Sequence, residues 1–398
     1  MRNVSVNLSR PYLVIPKLIE QPTWGGQYIV ESKGWDKIDS LAEIKIGQSY
    51  ELFSGSNLSL LSSSEDPEFS GELTDNREVT TPTQPPSSIG LRDLMAKSIE
   101  DTLGAEVIKE RGAEFALLIK YTQALGNSFQ VHIRDGVTHP VWKPKPESWY
   151  YFEPGLVTLG VKKDADWQKY QDAVEALQAY VLSVGEKVES GSLSYGQATQ
   201  EIAQAIKAHD PWKYVNTVRV EKDQLVDLSS GGLHHSWEED PDRAPLGNVL
   251  LELQAEAMDN ISTFRSFDKG KIGQDGSIRN VQIKEYFEVI DRSPEINDPI
   301  THMRQAKPIT NTAAYTLERL LETRHYNLEK LTLLSPSGSY SEKITRYKHL
   351  FVKEGRVEVT AADQSVTVTT AHSCFLPAAA QGYTIKNLAP KSEVLISY

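Results

Sequence analysis

Ser128-Phe129-Gln130-Val131-His132, followed thirteen residues later by Lys145-Pro146-Glu147-Ser148-Trp149-Tyr150, is the part of this chain from which the rest can be read. Phe129, Val131 and Ile133 alternate with Gln130 and His132, the pattern of a strand with one apolar face. Residues two apart in a strand project to the same side, so the amide of Gln130 and the imidazole of His132 share one face. Glu147 arrives on what reads as a neighbouring strand. Imidazole, amide and carboxylate together form an incomplete site for a divalent metal, and a fourth donor is needed to close it.

The 398 residues are enough for two or three domains, and 39% hydrophobic with 24% charged residues is the range of a soluble globular chain. No apolar run reaches the ~20 residues that span a bilayer, so no membrane association is expected. Met1-Arg2-Asn3-Val4 lacks the apolar core of a secretory signal. A net charge of −12 argues against nucleic acid as partner, but a few local cations suffice for a small anion. Cys374 is the single cysteine; it fits a reducing cytoplasm and, within His372-Ser373-Cys374-Phe375-Leu376, a small buried hydrophobe.

Along the chain, residues 1–60 carry short strand-like runs, and 54–88 turn to Ser, Pro, Thr, Glu and Asp, a loop or mobile insertion. Leu91–Met95 begins a short helix. Phe115–Tyr121 is an apolar strand in which Lys120 either snorkels outward or is aimed at an anion. Trp167, Tyr170, Val174, Leu177, Val181 and Val184 recur at helical steps, from a start near Asp164 or Asp166 to a stop at Gly185; a second helix runs from about Ser194 to Asp210-Pro211. Strand character returns at 217–220, and Gly231-Gly232-Leu233-His234-His235 sets two histidines on opposite faces, of which one can join Gln130 and His132. A short helix is expected over Thr310–Arg324. The region 326–398 reads as closely spaced strands, which suggests a β-sandwich or jelly roll.

In order, these motifs resemble the type I mannose-6-phosphate isomerases of the cupin superfamily. The resemblance lies in Trp24-Gly25-Gly26, Ile46-Gly47-Gln48-Ser49-Tyr50-Glu51, Leu118-Ile119-Lys120, Ser128–His132, Lys145–Tyr150, Gly231–His234, Glu252-Leu253-Gln254 with Asp259, Arg265–Asp268, Glu354-Gly355, Leu376-Pro377-Ala378 and Ser397-Tyr398. The chain departs from the family at Ile133-Arg134-Asp135, at Gln48 and Tyr50, and in longer spacings from Glu252 to Asp259 and from Asp259 to Arg265.

The resemblance implies a mainly β fold of two cupin-type jelly-roll domains: residues 1–162 and 211–300 as the catalytic domain, 163–210 as a helical insertion, and 301–398 as a C-terminal cupin-like domain. It implies one zinc ion held by Gln130, His132, Glu147 and His234. Lys120, Ser128 and Lys145 align with the substrate pocket, and Arg265 with the arginine implied in catalysis. The activity implied is interconversion of mannose 6-phosphate and fructose 6-phosphate through a cis-enediol, by a cytoplasmic monomer or weak homodimer. Glu252, Asp259, Lys145 and a metal-bound water all remain candidates for the proton-transfer base. Two other readings stand beside this one: a cupin oxygenase using iron, and a non-catalytic sugar-phosphate binder.

Overall fold

The computed structural model describes residues 7–74, 87–229, 231–233, 236–257 and 259–398, with the backbone alone for Ser236 and Asp259. Strand predominates over helix, and the fold is mainly β, built from several sheets. No helix among the described residues is long and apolar enough to cross a membrane. By backbone contact the chain forms two units. The first comprises 1–123, 251–256 and 304–398, and the second 124–250 and 257–303.

In the first unit, one sheet interleaves the two ends of the sequence. Among the described residues its order is Lys307–Asn311, Tyr315–Glu322, Asn327–Leu333, Ser392–Ser397, Lys348–Glu354, Ser373–Leu376, Tyr12–Ile15, Asn57–Ser59 and Ser88–Gly90. Two sequence expectations fail here. Thr310–Arg324 is no helix but parts of two paired strands, with Leu317 opposite Leu331 and Tyr315 opposite Leu333; cross-strand burial of these side chains outweighs their helical propensity. The Ser-rich segment 54–88 contributes Asn57–Ser59 and Glu72–Thr74 as strands, while its residues 75–86 lie outside the described ones. Cys374 is fully buried, and burial pushes its thiol up to about 12, so it packs as an inert hydrophobe.

A buried ion pair lies inside this unit. Lys33 Nζ is 2.8 Å from Glu51 Oε1, and both side chains are shut off from solvent. Ser49 and Ser373 donate to the two oxygens of the same carboxylate at 2.6 and 2.8 Å. Burial draws the Lys33 ammonium below its usual range while Glu51 pulls it back. Removing one partner strands the other charge. Lys33→Met is therefore expected to lower unfolding stability by roughly 3 kcal/mol, read from the shift of the urea midpoint; an unchanged midpoint would contradict a stabilising Lys33–Glu51 pair.

The second unit carries the helices Trp167–Glu189 and Tyr195–His209. Asp166 caps the first by accepting from the amides of Gln168 and Lys169. Ser194 and Gln197 form a capping box at the second, which ends where Asp210 turns left-handed at φ 39°. The first helix does not stop at Gly185. A Cβ there would lie 2.7 Å from the carbonyl oxygen of Gly276, so this glycine serves close packing rather than termination. The apolar stripe of both helices, including Tyr170, Val174, Leu177 and Ile202, packs with Phe129, Val131, Phe264 and Phe267 in one core. Each large side chain so buried contributes about 1.5–3 kcal/mol.

Candidate metal centre

Phe129–Val131 pairs antiparallel with Phe264–Phe267, with Val131 opposite Phe264, Gln130 opposite Arg265 and Phe129 opposite Phe267. The register slips by one residue between Arg265 and Phe267, a bulge at Ser266. That extra residue lets Phe264 and Phe267, three apart, both enter the core against the helices. Alternation then sends Gln130 to the opposite face, and Arg265, its cross-strand neighbour, stands beside it. Helix packing on one side of this ribbon thus aims the polar side chains on the other.

His132 is nine-tenths buried, as are Gln130, Lys145 and Glu147. Its Nδ1 lies 2.7 Å from the carbonyl oxygen of Ser262, a partner that only accepts, so Nδ1 carries the proton and donates. The lone pair is thereby placed on Nε2, the arrangement usual for a metal-bound histidine. Nε2 lies 3.4 Å from Glu147 Oε2, and Lys145 Nζ lies 3.4 Å from the same oxygen. Two donors about 2.0–2.1 Å from a tetrahedral zinc are separated by about 3.3–3.4 Å. The imidazole and carboxylate therefore already stand at the spacing of two zinc ligands, and the N/O donor set with Gln130 fits that ion.

Glu147 opens the strand Glu147–Tyr151, which pairs with Leu225–Asp227; its carbonyl accepts from Leu228 N at 2.9 Å. The chain then runs through Gly231 and Gly232 at φ 87° and 86°, left-handed values that glycine adopts without strain. Leu233, fully buried, accepts from the Gly160 amide at 2.5 Å. Leu233 is thereby fixed, while the next residues, His234 and His235, lie outside the described residues. No group of three or more His, Cys, Asp or Glu side chains gathers among the described residues; the donors in view are one imidazole, one carboxylate and one amide.

Lys120, Glu252 and Asp259 are the remaining candidates. Lys120 and Glu252 belong to the first unit. There Lys120 Nζ is 3.0 Å from Glu252 Oε1 and donates to Gln254 Oε1 at 2.6 Å, all three being buried. Lys120 thus turns inward, onto a carboxylate and an amide of the same chain. Glu252 Oε2 is buried with no hydrogen-bond partner among the described residues. Asp259 begins a 3-10 turn, Asp259–Ile261, that leads into the Ser262 carbonyl. Sequence reasoning missed Ser262 and Asn127. Ser262 acts through its backbone, which no motif encodes; Asn127, next to Ser128, is a local hydrogen-bonding signal of the kind asparagine often gives.

No protein-family model and no curated sequence matches this chain. Solved structures do. The mannose 6-phosphate isomerase of Bacillus subtilis superposes with a TM-score of 0.64 at 15% identity, covering 98% of this chain and 99% of its own. That of Salmonella typhimurium, bound to fructose 6-phosphate and zinc, gives 0.61 at 14% identity with the same coverage. At such identity the likeness speaks for the fold. The chain has the mainly β, cupin-type fold of the mannose-6-phosphate isomerases.

Proposed function

We propose that this protein is a zinc-dependent aldose–ketose isomerase interconverting mannose 6-phosphate and fructose 6-phosphate. The observation that carries the reading is the approach of His132 Nε2 to Glu147 Oε2 at 3.4 Å, with His132 Nδ1 held on the Ser262 carbonyl. The fold shared with isomerases, one of them bound to fructose 6-phosphate and zinc, supports it.

In this reading Gln130, His132, Glu147 and His234 hold one zinc ion. When bound, zinc supplies Lewis acidity toward the oxygens on C1 and C2 of the sugar. Isomerisation removes the proton from C2, passes through a cis-enediol and returns a proton to C1. Arg265, opposite Gln130 in the strand register, supplies a guanidinium that keeps its charge at any working pH and offsets negative charge developing on the enediol oxygens. Lys145 and Lys120 suit phosphate or sugar oxygens, which accept charge-assisted hydrogen bonds. Glu252, Asp259 and Lys145 are the side-chain candidates to carry the C2 proton; in Glu252, Lys120 holds Oε1 while Oε2 is buried without a hydrogen-bond partner among the described residues. Burial of Gln130, His132, Lys145 and Glu147 keeps bulk water from these groups and strengthens their electrostatics.

We further assign catalysis to segments 1–162 and 211–300, with 163–210 as a helical insertion and 301–398 as a second cupin-like domain. The single buried cysteine suits a cytoplasmic enzyme, and a monomer or weak homodimer acting on a free sugar phosphate is the assembly proposed.

The test is interconversion of the two sugar phosphates by purified, zinc-loaded protein in a coupled assay. A cupin oxygenase or a silent sugar-phosphate binder gives no turnover there. Arg265→Lys, which retains charge but loses the planar fork, is expected to lower kcat about 100-fold with zinc content unchanged. Undiminished kcat in that variant removes Arg265 from the mechanism.

A further inference from the structure

We infer that Ser128 and Asn127 are positioning residues that decide which end of the Gln130 amide meets the metal, in place of the substrate contact expected of Ser128. The inference rests on the zinc reading above. Ser128 is fully buried. Its amide donates to Asn127 Oδ1 at 2.8 Å, and its hydroxyl donates to the same oxygen at 3.3 Å. With its one proton committed there, the hydroxyl oxygen accepts from Gln130 Nε2 at 2.5 Å; Nε2 also reaches Asn127 Oδ1 at 3.4 Å. Asn127 is in turn fixed by its own backbone, whose N–H donates to the Trp237 carbonyl at 2.9 Å.

A glutamine amide has a donor end and an acceptor end of nearly the same shape, and only the oxygen is a ligand for a cation. Turning the Gln130 amide over would bring its oxygen against Asn127 Oδ1, and two acceptors repel. The relay from Asn127 through Ser128 therefore holds the NH2 end and leaves Oε1 on the opposite side of the amide, on the strand face that Gln130 shares with His132. A carboxylate ligand needs no such device, because its two oxygens are equivalent. A Ser128 hydroxyl engaged in this way on both sides has no proton left for a phosphate or sugar oxygen.

The experiment compares the full-length wild type with Ser128→Ala, Ser128→Thr and Asn127→Leu. Zinc affinity is measured by competition with a chelating dye, and steady-state kinetics are run at saturating zinc. Ser128→Ala and Asn127→Leu are expected to weaken zinc binding about 10-fold, as loss of a group orienting a metal ligand does, with KM for mannose 6-phosphate within about 2-fold of wild type once zinc is saturating. Ser128→Thr, which keeps the hydroxyl, is expected to restore wild-type zinc affinity. Unchanged zinc affinity with a raised KM in Ser128→Ala overturns the relay and returns Ser128 to the substrate, leaving the isomerase reading intact. A wild type that binds no zinc overturns both.

Discussion

His132→Ala is expected to remove bound zinc and isomerase activity together, with turnover falling on the order of 1,000-fold or more, as when a group stabilising transition-state charge is lost. The imidazole is committed by its surroundings: the Ser262 carbonyl accepts from the Nδ1–H and Nε2 faces Glu147 Oε2 at 3.4 Å. Alanine removes the donor and leaves a buried carboxylate with Lys145 as its near cation. The Glu147 and Lys145 charges still balance, so the fold should persist, and circular dichroism with metal analysis separates lost zinc from lost structure. His132→Asn is a useful companion, since a shorter donor cannot reach from the same strand position. Full activity in a demonstrably metal-free His132→Ala protein would end the zinc reading.

Acid is expected to destabilise the first unit steeply, through two buried histidines, His349 and His372. Burial, and after it the nearby Lys33 ammonium, pushes His349 and His372 down to about 3 from an ordinary 6.5. In the unfolded chain each takes up a proton as pH falls through about 6.5, whereas in the folded protein each refuses it until about pH 3. The unfolded state thus binds more protons throughout that window, and stability falls with pH. It is complete above about pH 6.5 and declines by about 1.4 kcal/mol per pH unit for each histidine, about 5 kcal/mol for the pair at pH 4.5.

His349 contributes in a second way: both its ring nitrogens are buried without a hydrogen-bond partner among the described residues. His349→Leu is therefore expected to flatten the pH dependence of the urea midpoint, removing about 1.4 kcal/mol per unit between pH 6 and 4, and to be more stable than wild type at pH 5. An unaltered slope would mean that His349 is protonated in the folded protein, and the buried neutral imidazole would have to be given up.

The local elements were legible because their signals are local. Alternation of Phe129, Gln130, Val131 and His132 is enough to put two donors on one face, and the same apolar residues mark the face that the helices cover. Asp166, Ser194 and Asp210 announce helix ends by side-chain and backbone chemistry that operates within four residues. Cys374 sits in an apolar run and is buried as such.

Other features depend on which distant segment a residue faces. Arg265 comes to stand opposite Gln130, despite its lengthened spacing from Asp259, because a bulge at Ser266 resets the register between two strands 133 residues apart in sequence. Tyr315–Glu322 is a strand because Asn327–Leu333 lies beside it, and Gly185 continues a helix because Gly276 packs there. Ser262 enters through a carbonyl that every residue possesses, and Ser128 bonds Asn127, whose amide donates to the Trp237 carbonyl. The sequence determined the faces, the caps and the donor types, since periodicity and capping act within a few residues. Only the tertiary structure decided register, close approach and hydrogen-bond direction, because these are properties of pairs of segments that no single stretch contains.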